Sequence, residues 1–259
     1  MTAADRRREL LRTEAAQLDV IVEGCGATIV LLPSSLRDSE DFDELAALLA
    51  TGGLQVLRPQ PRGMGASSPP PAGMTLATLA GDVAAVIQHF ADGPAVVAGH
   101  AYGHWVARVT DALHPRWVRG VAVLAAAARE FPAGMAEALA VASDPARAEE
   151  ERLAALRTCM FAPGHDPRPW LHGWHPQWRA AYRAASQQPP RDEWVVHAPL
   201  LDLQAALDPW RPVSTREELR QALGERVTVK VIPDASHALV PEQPQAVAAA
   251  LLEWIRALP

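Results

Sequence analysis

The sequence has few cysteines and no long apolar run. Its 259 residues include two cysteines, Cys25 and Cys159, which fit neither a disulfide framework nor a Cys-x-x-Cys metal motif. No apolar run approaches the roughly 18 residues of a membrane span. The start, MTAADRRRELLRTEAA, has an arginine run but lacks the apolar segment of a secretory or twin-arginine signal. We therefore expect a cytoplasmic protein without a membrane partner.

An excess of positive charge is also absent. The formal net charge is −6 at pH 7, whereas a general nucleic-acid-binding domain is normally basic. Hydrophobic residues make up 49% of the chain, which supplies a sizeable core and excludes global disorder. The length suits one domain, or one domain with an insertion. We expect a small-molecule substrate and no nucleic-acid partner.

Short apolar runs rich in Val and Ile alternate with longer amphipathic stretches. QLDVIVEG and ATIVLLPSS predict neighbouring strands with Gly24 and Gly26 between them, and LQVLRPQ, PAVVAGH and VRGVAVLAAAA predict further strands. EDFDELAALLAT and TLATLAGDVAAVIQHF predict helices, and the last quarter of the chain reads as strand, helix, strand, helix. This alternation predicts an α/β fold, with a mostly parallel, doubly wound sheet and helices on both faces.

Residues 127–199 interrupt this alternation. The interval is helical in pattern, broken by proline and rich in tryptophan. Because ligands of open α/β sheets bind beyond the carboxyl ends of the strands, we interpret the interval as a helical lid over those ends. The predicted organisation is a core of residues 18–126 and 200–258, a lid of residues 127–199, and an N-terminal extension of residues 1–17.

The stretch VVAGHAYGHWVARV, residues 96–109, has the layout of a nucleophile elbow without a nucleophile. Such an elbow, Gly-x-Ser-x-Gly, joins a strand to a helix and holds its serine exposed on a strained turn. Here the glycines are Gly99 and Gly103, and Ala101 occupies the serine position. A methyl group cannot attack a carbonyl, so the usual covalent chemistry of this motif is closed to the chain as written.

Three further motifs accompany the elbow in a fixed order. RPQPRGMGAS precedes it, and LQAALDPWRPVS and IPDASHALVPEQPQAVAAALLEWI follow it. Their diagnostic residues are Arg62, Gly63, Gly65 and Ser67, then Asp208, then His237. Elbow, acid and histidine stand in the order that the α/β-hydrolase fold uses. From about residue 18 to residue 258, the chain resembles the α/β-hydrolase superfamily.

The resemblance implies a role for each of these residues. His237 would be the general base, and Asp208 would accept a hydrogen bond from its other ring nitrogen. Asp234 is a rival acid, but it stands in a predicted turn, where aspartate is common for local reasons. The backbone amides of Ser35 and Tyr102 are the expected donors of the oxyanion hole.

The chain departs from the superfamily pattern at two further places. The usual His-Gly after the first central strand is Pro33-Ser34, and the small residue expected after the second elbow glycine is His104. Together with His100, His104 brackets Ala101. The two rings either line the site or pack beneath the elbow.

Aromatic residues of the predicted lid are candidate substrate contacts. Trp170, Trp174, Trp178 and Tyr182 fall at four-residue steps, the spacing of one helical face, although Pro176 divides the run into two short helices. Ordinary packing is the alternative interpretation. The candidate substrate-binding residues are Ser34, Trp170, Trp174 and Trp178.

No metal and no other cofactor is expected. His165, His172 and His175 lie close together in sequence, but no carboxylate or cysteine completes a convincing ligand spacing. The acidic run Glu149–Glu151 is interpreted as a solvated helix face.

Three functions remain open for a site with alanine at the elbow. The first is a non-covalent enzyme, in which a placed general base contributes about 10²–10⁴ and an oxyanion hole about 10²–10³ in rate. The second is a small-molecule binding protein of the same fold, and the third is an engineered Ser→Ala variant of a serine hydrolase or esterase. The other departures favour a natural alanine, and the retained histidine and acid favour an enzyme. The predicted function is general-base chemistry on a small, partly apolar carbonyl compound.

Overall fold

An eight-stranded sheet forms the centre of the computed structural model, which describes residues 6–187 and 196–259. Its strands are β1 (Arg7–Arg12), β2 (Gln17–Glu23), β3 (Ala27–Leu32), β4 (Leu54–Pro59), β5 (Ala95–His100), β6 (Val118–Leu124), β7 (Leu200–Ala205) and β8 (Val227–Ile232). They are ordered β1-β2-β4-β3-β5-β6-β7-β8. The pairs β1–β2 and β2–β4 are antiparallel and the other pairs are parallel. The predicted, mostly parallel α/β sheet is confirmed.

Helices cover both faces of the sheet. The α-helices of the described residues are α1 (Asp43–Thr51), α2 (Leu76–Phe90), α3 (Gly103–Leu113), α4 (Met135–Ala142), α5 (Glu149–Cys159), α6 (Arg179–Ala185), α7 (Glu218–Leu223), α8 (Leu239–Glu242) and α9 (Pro244–Ala257). Alternate residues of a strand point to opposite faces. In β3, Val30 and Leu32 pack with α2 and α3, whereas Ile29 and Leu31 pack with α1 and α9. This two-sided burial explains why the strand is apolar at nearly every position.

The prediction that β2 and β3 are neighbours is wrong. β4 lies between them, because the chain leaves β3, forms α1 and returns into that position. The two glycines between β2 and β3 allow the chain at the start of β4 to pass close to this connection. They do not form a hairpin turn. A Cβ on Gly24 would lie 2.4 Å from the carbonyl oxygen of Leu54, and one on Gly26 would lie 2.3 Å from that of Gly53. The sheet also begins before residue 18, since β1 and the first residue of β2 lie upstream.

The β6–β7 segment, residues 125–199, carries α4, α5 and α6. Two short 3-10 turns, Arg168–Leu171 and Pro176–Trp178, lie between α5 and α6. In its described residues the segment adds no strand to the central sheet, and residues 188–195 of the proposed lid lie outside the described part of the chain. Leu156, Phe161 and Trp170 of this segment form an apolar cluster together with Trp210 and Ala238 from the loops after β7 and β8.

Candidate active site

Ala101 occupies a left-handed turn between β5 and α3. Its φ angle is +47°, a conformation that residues other than glycine rarely adopt. A Cβ on Gly99 would lie 2.2 Å from the carbonyl oxygen of Gly103, and one on Gly103 would lie 2.3 Å from that of Leu32. Both positions therefore require glycine, because strand, turn and helix approach closely here. The backbone has the geometry expected of an elbow, and Ala101 places a methyl group at its turn.

His237 and Asp208 are hydrogen-bonded to each other. The Nδ1 atom of His237 lies 2.9 Å from Oδ2 and 3.1 Å from Oδ1 of Asp208, and both side chains are buried. The carboxylate also accepts the backbone N–H of Trp210 at 2.8 Å. When Nδ1–H donates to the carboxylate, Nε2 is the basic nitrogen of the ring. Among the described residues, Nε2 of His237 has no hydrogen-bond partner.

Asp234, the rival acid, lies away from the ring. Its φ angle is +50°, and 71% of its side chain is exposed. Its carboxylate lies 3.8 Å from Nε2 of His165. Asp208 is therefore the carboxylate that contacts His237.

The two histidines that bracket Ala101 are both buried and hydrogen-bonded to backbone. Nε2–H of His100 donates to the carbonyl oxygen of His237 at 2.7 Å, which ties β5 to the loop of His237. Burial, together with the nearby His237, lowers the pKa of His100 to about 3, so its ring is neutral. Nδ1 of His104 lies 2.7 Å from the carbonyl oxygen of Ala101. Both rings are thus held by backbone carbonyls, that of His100 by the loop of His237 and that of His104 by the turn itself.

The β3 loop, residues 33–37, carries one of the two predicted amide donors. It turns sharply, with Leu36 at a φ angle of +60° and a hydrogen bond from Arg37 N–H to the carbonyl of Ser34. Within the described chain, the N–H groups of Ser35 and Tyr102 donate to no acceptor. They follow the carboxyl ends of β3 and β5, which are adjacent parallel strands. Two unpaired amides at this edge can donate hydrogen bonds to an oxygen that develops negative charge.

Arg37 ties the β3 loop to the β6–β7 segment. Its buried guanidinium stacks 4.3 Å from the ring centre of Trp170 and 4.7 Å from that of Trp174. It also forms an ion pair with Asp41 and donates to the carbonyl of His172. Sequence reasoning missed this residue, because its partners are distant in the chain.

Trp178 and Tyr182 hold the β6–β7 segment against the β4 loop, residues 60–68. Nε1–H of Trp178 donates to the carbonyl of Gly63, and the hydroxyl of Tyr182 donates to that of Arg62, each at 2.9 Å. Trp170, Trp174, Trp178 and Tyr182 do not share one helix, since each belongs to a different local element.

In the β4 loop, the hydroxyl of Ser67 accepts a hydrogen bond from a backbone amide and donates one to a backbone carbonyl, so this part of the motif is structural.

A cavity of about 60 Å³ lies beside the elbow. Ser34, Tyr102 and Gly103 are among its lining residues, whereas Ala101 and His237 are not. Of the aromatic residues singled out in the sequence, Tyr182 lines this cavity. Trp170 instead borders a larger surface groove beside α1 and α8.

Glu242 is a second residue that sequence reasoning missed. Its carboxylate accepts the backbone N–H groups of Ser236 and Ala162, each at 2.6 Å. It thereby joins the loop of His237 to the β6–β7 segment, and burial raises its pKa. In the sequence, Glu242 is only a glutamate in the short helix after the histidine. That signal does not distinguish it from the many glutamates that are exposed to solvent.

The three lid histidines do not converge. Nε2 of His165 lies 3.0 Å from the carbonyl of Asp234, Nε2 of His175 lies 3.4 Å from Asp38, and His172 is exposed. Among residues 6–187 and 196–259, no group of three or more His, Cys, Asp or Glu side chains is arranged to hold a metal ion. No helix in the same ranges is long and apolar enough to cross a membrane.

Known proteins share this fold along nearly the whole chain. The sequence profile described as Alpha/beta hydrolase family matches residues 29–250. An esterase from Exiguobacterium antarcticum is similar in structure, with a TM-score of 0.78 and 18% identity over 97% of this chain and 100% of that chain. A hydrolase from Pseudomonas aeruginosa has a TM-score of 0.77 and 23% identity over 97% and 99%. Epoxide hydrolase A from Mycobacterium thermoresistibile has a TM-score of 0.72 and 18% identity over 98% and 99%. No curated protein matches the sequence.

Proposed function

The chain belongs to the alpha/beta hydrolase family, and on that premise we propose that it performs non-covalent general-base chemistry on a small, partly apolar carbonyl compound. His237 is the base, Asp208 orients it, and the amides of Ser35 and Tyr102 hold the oxyanion. The β6–β7 segment acts as the lid. The observation that carries the proposal is an oriented histidine with a free Nε2, beside an elbow that offers no oxygen at Ala101.

The proposed chemistry has two forms that use the same groups. In the first, Nε2 of His237 takes a proton from the carbon next to the carbonyl, and the C–H bonding electrons form an enolate. In the second, Nε2 takes a proton from water while the water oxygen bonds to the carbonyl carbon. In both forms the negative charge develops on the carbonyl oxygen, which the two amides stabilise. Neither form needs an acyl-enzyme.

The alternative of a binding protein is weaker, because binding alone does not need a buried carboxylate–imidazole pair. Removing such a pair from water costs free energy, and apolar side chains of similar volume often replace buried ion pairs without loss of stability. The pair of His237 and Asp208 is buried, and a neighbouring amide also orients the carboxylate. This arrangement suits a group that must present one nitrogen in a fixed direction.

Isotope exchange tests the proposal without knowledge of the natural substrate. A panel of small ketones, aldehydes and thioesters is incubated in D₂O and in H₂¹⁸O, and NMR and mass spectrometry follow deuterium at the carbon and ¹⁸O at the carbonyl. Wild-type protein should accelerate one of the two exchanges, and His237→Ala should lower that rate by about 10²–10⁴-fold. Ala101→Ser should leave the exchange within several-fold of wild type.

Two outcomes would contradict the proposal. If Ala101→Ser raises ester turnover by orders of magnitude and a covalent acyl group is detected by mass, the site is that of a serine hydrolase with a replaced nucleophile. If no variant exchanges any isotope while ligands bind equally to wild type and His237→Ala, the protein is a binding protein.

A further inference from the structure

The cavity beside the elbow, here called the elbow cavity, is lined by residues from both turns that carry the free amides. Ser34 lines it and directly precedes Ser35, and Tyr102, which carries the second amide, also lines it. Gly103 and Val106 extend this wall along α3. In the proposed orientation, with the carbonyl oxygen of the substrate at the two amides, the elbow cavity is the space assigned to the group on its carbonyl carbon.

The charged side chains around the elbow cavity neutralise each other. Arg62 and Asp82 both line it and form a bidentate ion pair, with Nε to Oδ2 at 2.6 Å and Nη2 to Oδ1 at 2.7 Å. Two N–H donors of this guanidinium are already used by the carboxylate. The cavity therefore offers no net charge to a carboxylate, a phosphate or an ammonium group.

Most neutral polar groups of the wall are also paired. The hydroxyl of Tyr102 donates to the carbonyl of Tyr182 at 3.1 Å, and the hydroxyl of Tyr182 donates to a carbonyl of the β4 loop. The side-chain amide of Gln60 accepts from Ser39 N–H and donates to Glu40. None of these groups therefore needs a ligand in the cavity as a hydrogen-bond partner.

Ser34 is the exception. It is 6% exposed and lines the elbow cavity, and its hydroxyl makes no hydrogen bond to any described residue. Its oxygen is not fully enclosed by protein atoms, so the hydroxyl remains available as a hydrogen-bond donor and acceptor at the cavity wall. An atom of a bound molecule can form that hydrogen bond.

The remaining wall is apolar and the space is small. Leu32, Met64, Leu79 and Val83 contribute side chains to the wall. An apolar cavity of ~150 Å³ holds benzene, so a cavity of about 60 Å³ holds a group of about two to three carbons.

We infer that the elbow cavity binds a short, neutral alkyl substituent on the substrate carbonyl, and that Ser34 supplies its one hydrogen bond. The orientation of the substrate rests on the proposed function, because the carbonyl oxygen is placed at the amides of Ser35 and Tyr102. The substrate class is thereby narrowed to uncharged short-chain acyl compounds, including those with one hydroxyl on the chain.

Binding of simple amides directly tests the predicted size of the alkyl group that the elbow cavity accepts, without turnover. Acetamide, propanamide, butanamide and hexanamide are titrated into wild-type protein by ligand-detected NMR. Affinity should rise about fourfold per methylene up to propanamide or butanamide, and it should fall for hexanamide. Val106→Ile should move the optimum to a shorter chain, and Val106→Ala to a longer one. The matched control is Leu113→Phe, which enlarges a half-exposed side chain on the same helix and should leave the order unchanged.

Ser34→Ala tests the hydrogen bond. In wild type, 3-hydroxybutanamide should bind at least as well as butanamide. In Ser34→Ala the hydroxylated amide should lose about 2- to 10-fold relative to butanamide, the range of one neutral hydrogen bond. Equal effects on both amides would overturn the role of Ser34.

The two proposals fail in different ways. Amide binding without a chain-length optimum, an optimum unmoved by both Val106 variants, or no binding at all would overturn the cavity proposal. Isotope exchange that depends on His237 could still be present in that case. Conversely, a chain-length optimum that both Val106 variants move, with no exchange in any variant, would support the cavity and overturn the proposed chemistry.

Discussion

The two sides of the elbow differ in how completely their polar groups are paired. On one side, His237 is bonded to Asp208, its carbonyl accepts from His100, and the ring of Trp210 lies 5.3 Å from its own ring. On the other side lie the elbow cavity and the unpartnered hydroxyl of Ser34. The comparison shows that the ring of His237, the proposed base, is fixed by several contacts, whereas the wall of the cavity that we propose binds the substrate retains a hydroxyl without a protein partner.

The largest expected effect comes from His100 on the paired side. Its pKa of about 3 lies below the ordinary 6.5, so the unfolded chain takes up a proton at mildly acid pH while the folded chain does not. Stability is therefore lost as pH falls from 6.5 towards 3, at about 1.4 kcal/mol per pH unit and roughly 5 kcal/mol in all. Urea unfolding at a series of pH values measures this loss.

The variant His100→Gln keeps a side-chain donor for the carbonyl of His237 but cannot titrate. Its free energy of unfolding should fall less steeply than that of wild type between pH 6.5 and 4, even if it is lower at neutral pH. Parallel slopes in the two proteins would mean that His100 is not the group that takes up the proton.

The next largest effect should follow from Glu242→Gln. The substitution puts an amide nitrogen opposite one of the two backbone N–H groups that the carboxylate accepts, so one buried donor loses its partner. We expect a loss of about 1–3 kcal/mol in the free energy of unfolding. Glu137→Gln, at an exposed position in α4, is the control and should change stability by less than about 0.5 kcal/mol. Equal changes in the two variants would show that Glu242 does not hold the loop of His237.

The smallest effect is expected on the open side, from Ser34→Ala. Because its hydroxyl bonds to no described residue, removal should change the free energy of unfolding by less than about 0.5 kcal/mol. Ser67→Ala is the matched comparison: Ser67 is similarly buried, but its hydroxyl makes two hydrogen bonds to backbone, and its loss should cost about 1–3 kcal/mol. If the two variants lose equal stability in chemical denaturation, the hydroxyl of Ser34 has a protein partner and the comparison of the two sides fails.

The fold was predictable from sequence because its signals are local. Apolar strands alternate with amphipathic helices, and this pattern is sufficient for a mostly parallel sheet. The order of the strands was less accessible: the sequence predicted that β2 and β3 are neighbours, whereas the glycines between them accommodate the start of β4.

The candidate site likewise contains residues that could be predicted from the sequence and residues that could not. The pairing of Asp208 with His237 was predicted from their order in the chain, which the sequence alone provides. Arg37 and Glu242 were missed, because the aromatic rings and amides that they contact come from elements distant in sequence. The four-residue spacing of the aromatic residues suggested helical faces, yet the hydrogen bond of Trp178 to the β4 loop depends on tertiary packing that no local period encodes.

The geometry of the elbow has a consequence for how this chain can change over generations. Alanine and serine codons differ at a single base, so one point mutation converts Ala101 to serine whichever codon encodes it. The turn already has a positive φ angle, and Gly99 and Gly103 already allow the close approach of strand and helix. No second substitution is needed to place a hydroxyl on that turn. The backbone of the turn therefore already accommodates the one substitution that would place a hydroxyl at this position.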